Sequence, residues 1–314
     1  MAEPQHFLFV FVGEFTQLAF ANAIEPLRIA NRMSGETLYT WSFMSEDGGA
    51  VTASNGVRML MDHSFNDCVT FDQLFIITGN DVQEHISKRL LALVRRTRYQ
   101  GIPVAAFCSG AFVLAEAGLL DGRSVALHWE FHAAFAETYP DIDLSPGVYV
   151  KDSAIMTAAG GQAAADMVLD LIAARHGEGL AVTVSDQMVY NSVRTASATQ
   201  RVSFQARFGI RCDVLSKAMQ VMERDLDAIT TMTEVAAHTG VSIRQLERLF
   251  KKHLNTTPKK HLQTLRLARG RQLLQQTEMS VTEVTLACGF ENPSHFSRVY
   301  RQAYGVGPRQ QRAI

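Results

Sequence analysis

Thr233-Glu-Val-Ala-Ala-His-Thr-Gly240 is written a second time as Thr282-Glu-Val-Thr-Leu-Ala-Cys-Gly289, and this echo decides how the last third of the 314-residue chain folds. Each copy runs from its glycine into a basic amphipathic stretch with an aromatic inside it. The first is Ser242-Ile-Arg-Gln-Leu-Glu-Arg-Leu-Phe250, the second Pro293-Ser-His-Phe-Ser-Arg-Val-Tyr300. Each then reaches a proline, Pro258 or Pro308. The copies are offset by 49 residues at the glycine and by 50 at the proline, so the second carries one extra residue. A helix, a glycine corner and a second helix, used twice, is the plan of a helix-turn-helix reader of duplex DNA.

Apolar spacing sorts each copy into an inside and an outside. Val235, Ala236, Leu246, Leu249 and Phe250 are expected to lock the first pair of helices across Gly240, where the absent β-carbon lets the chain turn. Ser242 is a good N-cap for the second helix. Arg244, Gln245, Arg248 and Lys251 are left outside with it, available to a major groove and its phosphates. In the second copy Val284, Ala287, Phe296, Val299 and Tyr300 are expected inside. Asn292, Ser294, His295, Arg298 and Arg301 are expected outside. Residues 258–276 predict one long helix opened by a proline near its first position, which would hold the two readers a fixed distance apart.

Charge supports the division. The chain as a whole carries −1, but residues 216–314 hold +7 and residues 1–215 hold −8. An acidic globular part joined to a module that meets a polyanion fits that asymmetry. Four scattered cysteines show neither a disulfide framework nor metal-ligand spacing, so reduced thiols in a cytoplasmic protein are expected, with no cofactor and no metal. No apolar run is long enough for a membrane span.

The acidic part alternates strand and helix patterns: strands near 7–12, 39–44, 74–78, 102–107, 125–129 and 148–158, and helices near 16–32, 82–99, 109–120, 130–139 and 161–176. That alternation predicts an α/β domain, a parallel sheet sandwiched by helices, with ligands at the carboxyl ends of its strands. At Ala106-Phe-Cys108-Ser-Gly110 an apolar strand meets a cysteine and becomes a helix at once, the pattern of a nucleophile elbow. The helix N-terminus is expected to lower the thiol pKa, and His128 is placed to approach it. Trp129 offers a π-face to a cation, and Gly160-Gly161 could present backbone N–H groups to an anion. Glu25 beside a mid-helix proline and Asn55 at a turn complete the pocket candidates. Each has a plain structural alternative, a surface ion pair for Glu25 and a tight turn for Asn55. Residues 191–205 are small, polar and basic, and read as an exposed linker.

The first 180 residues resemble the class I glutamine amidotransferase-like fold, including its PfpI-like branch. The resemblance rests on Phe-Cys108-Ser-Gly, Ala-Gly118-Leu-Leu-Asp-Gly122-Arg and His128-Trp129. Catalytic members add an acid, which here would fall near Ala19 or Asn22, neither of which can supply it; Glu25 and Glu130 are the remaining carboxylates. That loss favours a small-molecule pocket over a cysteine hydrolase or a redox-sensing thiol. The last hundred residues resemble the AraC/XylS family DNA-binding domain, through Ala-Arg269-Gly-Arg271, Ala-Cys-Gly289-Phe290, Ser294-His-Phe-Ser-Arg and Tyr304-Gly-Val-Gly-Pro308.

The resemblance divides the chain into a sensing and dimerising domain over 1–190, a linker over 191–212 and a DNA-binding domain over 213–314. The helix-turn-helix motifs fall near 233–254 and 281–304. It implies a transcriptional regulator, typically an activator of catabolic genes. Its expected partners are a promoter operator in double-stranded DNA, a small-molecule effector, RNA polymerase and a second copy in a homodimer. Within that branch, Ala-Ile-Glu25-Pro-Leu-Arg and Ala-Ser-Asn55-Gly look most like regulators of arginine, glycine betaine or carnitine use.

Overall fold

The computed structural model describes residues 3–201, 209–210, 212–224, 226 and 231–312, and divides into two compact units, Met1–Gln200 and Arg201–Ile314. The first is built on a seven-stranded sheet in the order β10-β11-β7-β6-β1-β2-β5. The strands are β1 (Gln5–Phe11), β2 (Tyr39–Ser45), β5 (His63–Ser64), β6 (Gln73–Ile77), β7 (Val104–Phe107), β10 (Tyr149–Asp152) and β11 (Ile155–Ala158). All neighbours pair in parallel except β10 with β11. Phe7 to Phe11 and Leu74 to Ile77 are buried at every position, which is why these strands read as unbroken apolar runs: both faces of a parallel sheet are covered. On one face Phe7, Phe9, Phe11, Phe75 and Phe107 meet α1 (Gln17–Ser34), α5 (Ala163–His176) and α6 (Glu178–Gln187) in a single core. Neighbouring phenylalanine rings there stand mostly edge to face, at 4.8 to 6.4 Å, the arrangement their quadrupoles favour.

Several expected elements differ in detail. The helix expected over 82–99 is broken: a 3₁₀ turn, Val82–His85, precedes α2 (Lys88–Tyr99), because the Ser87 side chain accepts from Leu90 N and caps a new start. The cationic stretch in α2 does more than offset a helix dipole. Arg95 donates to the carbonyls of Glu116 and Ala117, which end α3 (Ala111–Glu116), and Arg98 donates to Ile102 O. The strand expected over 125–129 shrinks to β8 (Ser124–Val125), which pairs with β9 (Asp143–Leu144) outside the main sheet. Residues 148–158 form the β10–β11 hairpin, turning at Ser153 with φ 55°.

Residues 191–200, expected as the start of a linker, belong to the first unit. Arg194 is bonded to the buried carboxylate of Asp166, Val148 N donates to Ala196 O, and Gln200 Nε2 donates to Leu127 O and Gly147 O. Polar composition misleads here because the partners are equally polar and lie far away in sequence. The rest of the expected linker includes 202–208 and 211, which lie outside the described residues.

The second unit is helical: α7 (Asp213–Arg224), α8 (Met232–Thr239), α9 (Ile243–Leu254), α10 (Pro258–Gln276), α11 (Val281–Ala287), α12 (Pro293–Tyr304) and α13 (Pro308–Gln311). No helix among the described residues is long and apolar enough to cross a membrane.

Candidate functional site: an elbow pocket and two reader helices

In the first unit β7 ends at Phe107 and Cys108 takes φ 60°, a left-handed conformation that a side chain adopts only under constraint. The constraint is visible. Cys108 N donates to Ala158 O and His128 N donates to Cys108 O, so the residue is tied to both flanking segments. Gly160, at φ 84°, lies so close that a Cβ there would stand 3.0 Å from Cys108 Cβ. The elbow is real, but its thiol is not activated. Cys108 is 7% exposed, and burial pushes its pKa up, against a smaller opposing effect of Thr16, whose Oγ1 donates to Sγ at 3.7 Å. This corrects the expectation of a lowered pKa. Burial outweighs the hydrogen bonds of Thr16 and of the Ser109 backbone, which favour thiolate.

His128 is held lower than usual by burial, with Glu130 pulling weakly the other way. Glu130 Oε2 stands 3.8 Å from Nδ1, beyond hydrogen-bond reach. The imidazole instead leans on Trp129 at 5.3 Å and on Phe131 at 6.1 Å. Of the two positions where an acid was sought, Ala19 is buried in the core, and Asn22 donates to Gly161 O at 3.1 Å. A thiol raised and an imidazole lowered by burial, with no carboxylate hydrogen-bonded to the imidazole among the described residues, lack the alignment a triad needs.

Around these residues lies a cavity of about 390 Å³, open at the carboxyl ends of β7 and β11. Cys108, His128, Trp129 and Gly161 all line it, as sequence reasoning expected. Glu25 and Asn55 do not. Glu25 pairs with Arg28 on the exposed surface of α1 at 2.5 Å, and Asn55 Oδ1 accepts from Val57 N in an exposed turn. Sequence reasoning missed Thr16, Gln162, Arg194 and Gln200 on the cavity wall. Of these, Gln162 alone had a local signal, since it follows the Gly160-Gly161 corner at the start of α5.

In the second unit both copies of the repeat form helix-turn-helix pairs. Gly240 and Gly289 take φ 68° and 69° at their corners. Each first helix is opened by a capping box, Thr231 with Glu234 and Ser280 with Glu283, a repeated signal that sequence reasoning passed over. The two reader helices correspond at an offset of 50 residues. Leu246, Phe250, Phe296 and Tyr300 are buried, while Arg244, Gln245, Arg248 and Lys251 on α9 match Ser294, His295, Arg298 and Arg301 on α12, all exposed. Ser242 and Asn292, offset likewise, are exposed but have a structural task. Ser242 Oγ accepts from Gln245 N, and Asn292 Oδ1 accepts from Ser294 N and His295 N, so both fix where a reader helix begins. Between the readers runs α10, 19 residues and so about 28 Å long at 1.5 Å per residue. Its Leu262 joins the core of the first pair, and its Gly270 meets Phe296 and Cys288 of the second.

Comparison with known proteins matches residues 235–314 to a helix-turn-helix domain and residues 10–174 to the DJ-1/PfpI family. The HTH-type transcriptional regulator CdhR of Pseudomonas aeruginosa is 41% identical over 99% of this chain and 92% of its own. The regulator GbdR of the same species is 37% identical over 98% of this chain and 84% of its own. The chain belongs to the AraC-type transcriptional regulators that carry an N-terminal DJ-1/PfpI domain. A solved AraC family regulator from Pseudomonas putida, 24% identical, covers 59% of this chain and 100% of its own at a TM-score of 0.54, a likeness of fold.

Membership settles the choice left open by the elbow. AraC-type regulators of this architecture bind DNA and regulate transcription, and the ligand-responsive reading is favoured over a cysteine hydrolase. The cysteine elbow thus lies in the DJ-1/PfpI part of a transcriptional regulator.

Proposed function

We propose that this regulator activates catabolic genes when a small nitrogenous metabolite, an amino acid or betaine, occupies the Cys108 cavity. The reading is supported above all by two kinds of group on the wall of that cavity. Trp129 and Glu130 offer a π-face and a carboxylate to a cationic nitrogen; Gly160-Gly161-Gln162 lead into the N-terminus of α5, where the helix dipole favours an anion. A zwitterion satisfies both, and the volume suits a molecule of that size. Arg244, Gln245, Arg248 and Lys251 would read one major groove, and Ser294, His295, Arg298 and Arg301 the next. Their side chains differ between the copies, so the target of one subunit would be asymmetric. RNA polymerase is the partner an activator requires. We further place the protein in the cytoplasm, as a homodimer joined through the first unit.

Thermal unfolding of the full chain with L-arginine, glycine betaine or L-carnitine tests the ligand class, since a molecule that binds only the folded state raises its stability. At least one of them should raise the melting temperature, while choline, which lacks the carboxylate, and acetate, which lacks the cation, should not. Trp129→Ala should abolish the response. A response to choline or acetate equal to that of the zwitterions would contradict a wall that takes both charges.

A further inference from the structure

We propose that residues 190–200 are the transmission element of this regulator: a strap that walls the effector cavity and runs directly into the DNA-binding unit. The inference rests on the effector reading above and adds how occupancy is reported. Arg194 and Gln200 both line the cavity, and Gln200 is the last residue of the first unit. The strap is polar and half exposed, yet it is held at three points.

Its first anchor is Asp166, whose carboxylate is fully buried in the first turn of α5. Asp166 Oδ1 accepts from Tyr190 OH and Arg194 N, each at 2.8 Å, and Oδ2 accepts from the Arg194 guanidinium at 2.8 and 2.9 Å. Burial and that carboxylate push the Tyr190 hydroxyl up to about 12, so it stays a donor at any physiological pH. In the middle, Val148 N donates to Ala196 O at 3.0 Å. The strap lies so close to Gly147 that a Cβ there would collide with Ala196 O. At the end, Gln200 Nε2 donates to Leu127 O at 3.0 Å and to Gly147 O at 2.8 Å. Two carbonyl acceptors fix which way the amide points. Its Oε1 is buried and accepts no hydrogen bond from the described residues, which leaves this anchor weaker than the one at Asp166.

The position of Gln200 gives the strap its use. Leu127, which Gln200 holds, immediately precedes His128 on the cavity wall. The next residue along the chain, Arg201, pairs through Nη1 with Glu223 of α7 at 3.1 Å. α7 packs Leu215, Ala218, Met219 and Met222 into the core shared by Val235, Leu246 and Phe250 of the first helix-turn-helix pair. The last residue of the strap is therefore one peptide bond from a residue that pairs inside the second unit. An effector that touches Arg194 and Gln200 binds the docked strap better than the undocked one and shifts the equilibrium between them. By reciprocity, docking of the strap tightens effector binding by the same factor by which the effector favours docking, so a variant that leaves the strap largely undocked binds the effector more weakly.

Hydrogen exchange on the full chain, with and without L-arginine, glycine betaine or L-carnitine in excess, tests this. Gln200→Glu keeps the side-chain shape but sets a carboxylate against two carbonyls. Gln200→Ala removes the donor without adding charge, and Glu25→Gln, on the far surface of α1, is the control. The compound that slows exchange at 127–131 and 159–163 should also slow it at 190–200. Both Gln200 variants should weaken its binding about tenfold, within the usual range for coupled sites, and the control should not. Protection of 127–131 and 159–163 with 190–200 unchanged, and unaltered binding by the variants, would overturn the proposal. If none of the three compounds protects the cavity, the effector class fails. The strap is then judged on exchange at 213–224, beyond the connector: a severalfold change in Gln200→Ala supports the relay, and no change refutes it.

Discussion

Replacing Gly270 by alanine sets two effects of similar size against each other, and the packing around α10 decides between them. In a helix interior alanine is favoured over glycine by about 0.5–1 kcal/mol, because it loses less conformational freedom on folding. Here, however, the new Cβ would stand 3.0 Å from Cε2 and Cζ of Phe296 and 3.4 Å from Cys288 Sγ. The ring has little room to withdraw. Phe296 is fully buried, with Phe290 at 5.2 Å and Tyr300 at 5.4 Å, both buried themselves. Overfilling a packed core costs about 1–3 kcal/mol; with both flanking rings buried the upper part of that range applies, so the net result is a loss of about 1–2 kcal/mol confined to the second helix-turn-helix pair. Both tryptophans, Trp41 and Trp129, lie in the first unit, so indole fluorescence does not report on this region. Amide hydrogen exchange at Phe296, Val299 and Tyr300 does, and should speed up about 5- to 30-fold while residues 243–254 keep their protection. Slower exchange in the variant would mean that helix propensity wins and that α10 is not the tight spacer described.

Acid should destabilise the protein in a defined direction. Burial holds His6, His128, His132, His176 and His261 below the ordinary value of 6.5, so the folded chain binds protons less readily than the unfolded one. The stability they contribute is full above about pH 6.5 and is lost as pH falls through their lowered values, so the melting temperature should drop between pH 7.5 and pH 5. An unchanged or higher melting temperature at pH 5 would contradict that burial. The thiols give a second test. With iodoacetamide at neutral pH, exposed Cys68 should be alkylated well before Cys108, which is buried with a raised pKa. Preferential labelling of Cys108, read by peptide mass spectrometry, would restore the reactive-thiol reading.

Legibility in the sequence followed the range of the interactions. The reader helices were plain because every element of the signal is local: a glycine corner, a cap, an apolar stripe and a second copy to compare. Cys108 and Gly161 could be placed together because the parallel strands β7 and β11 carry their carboxyl ends to one rim. The strap was illegible because its meaning depends on Asp166, Leu127 and Gly147, remote in sequence. Read alone, residues 191–200 have the composition of a linker. For Glu25 the alternative of a surface ion pair holds: Arg28, one turn away, draws its carboxylate along the surface of α1. The direction of the thiol's shift was illegible because burial, which no motif records, outweighs the hydrogen bonds that favour thiolate.

Each subunit is expected to engage DNA through two reader helices joined by α10. Hydroxyl-radical footprinting of the full chain on a promoter it binds tests this most directly. The account predicts protection at two successive major grooves on one face of the duplex, about one turn apart, for each subunit. Arg248→Ala should weaken protection in one groove and Arg298→Ala in the other. Protection confined to a single groove, or both variants weakening the same groove, would contradict it.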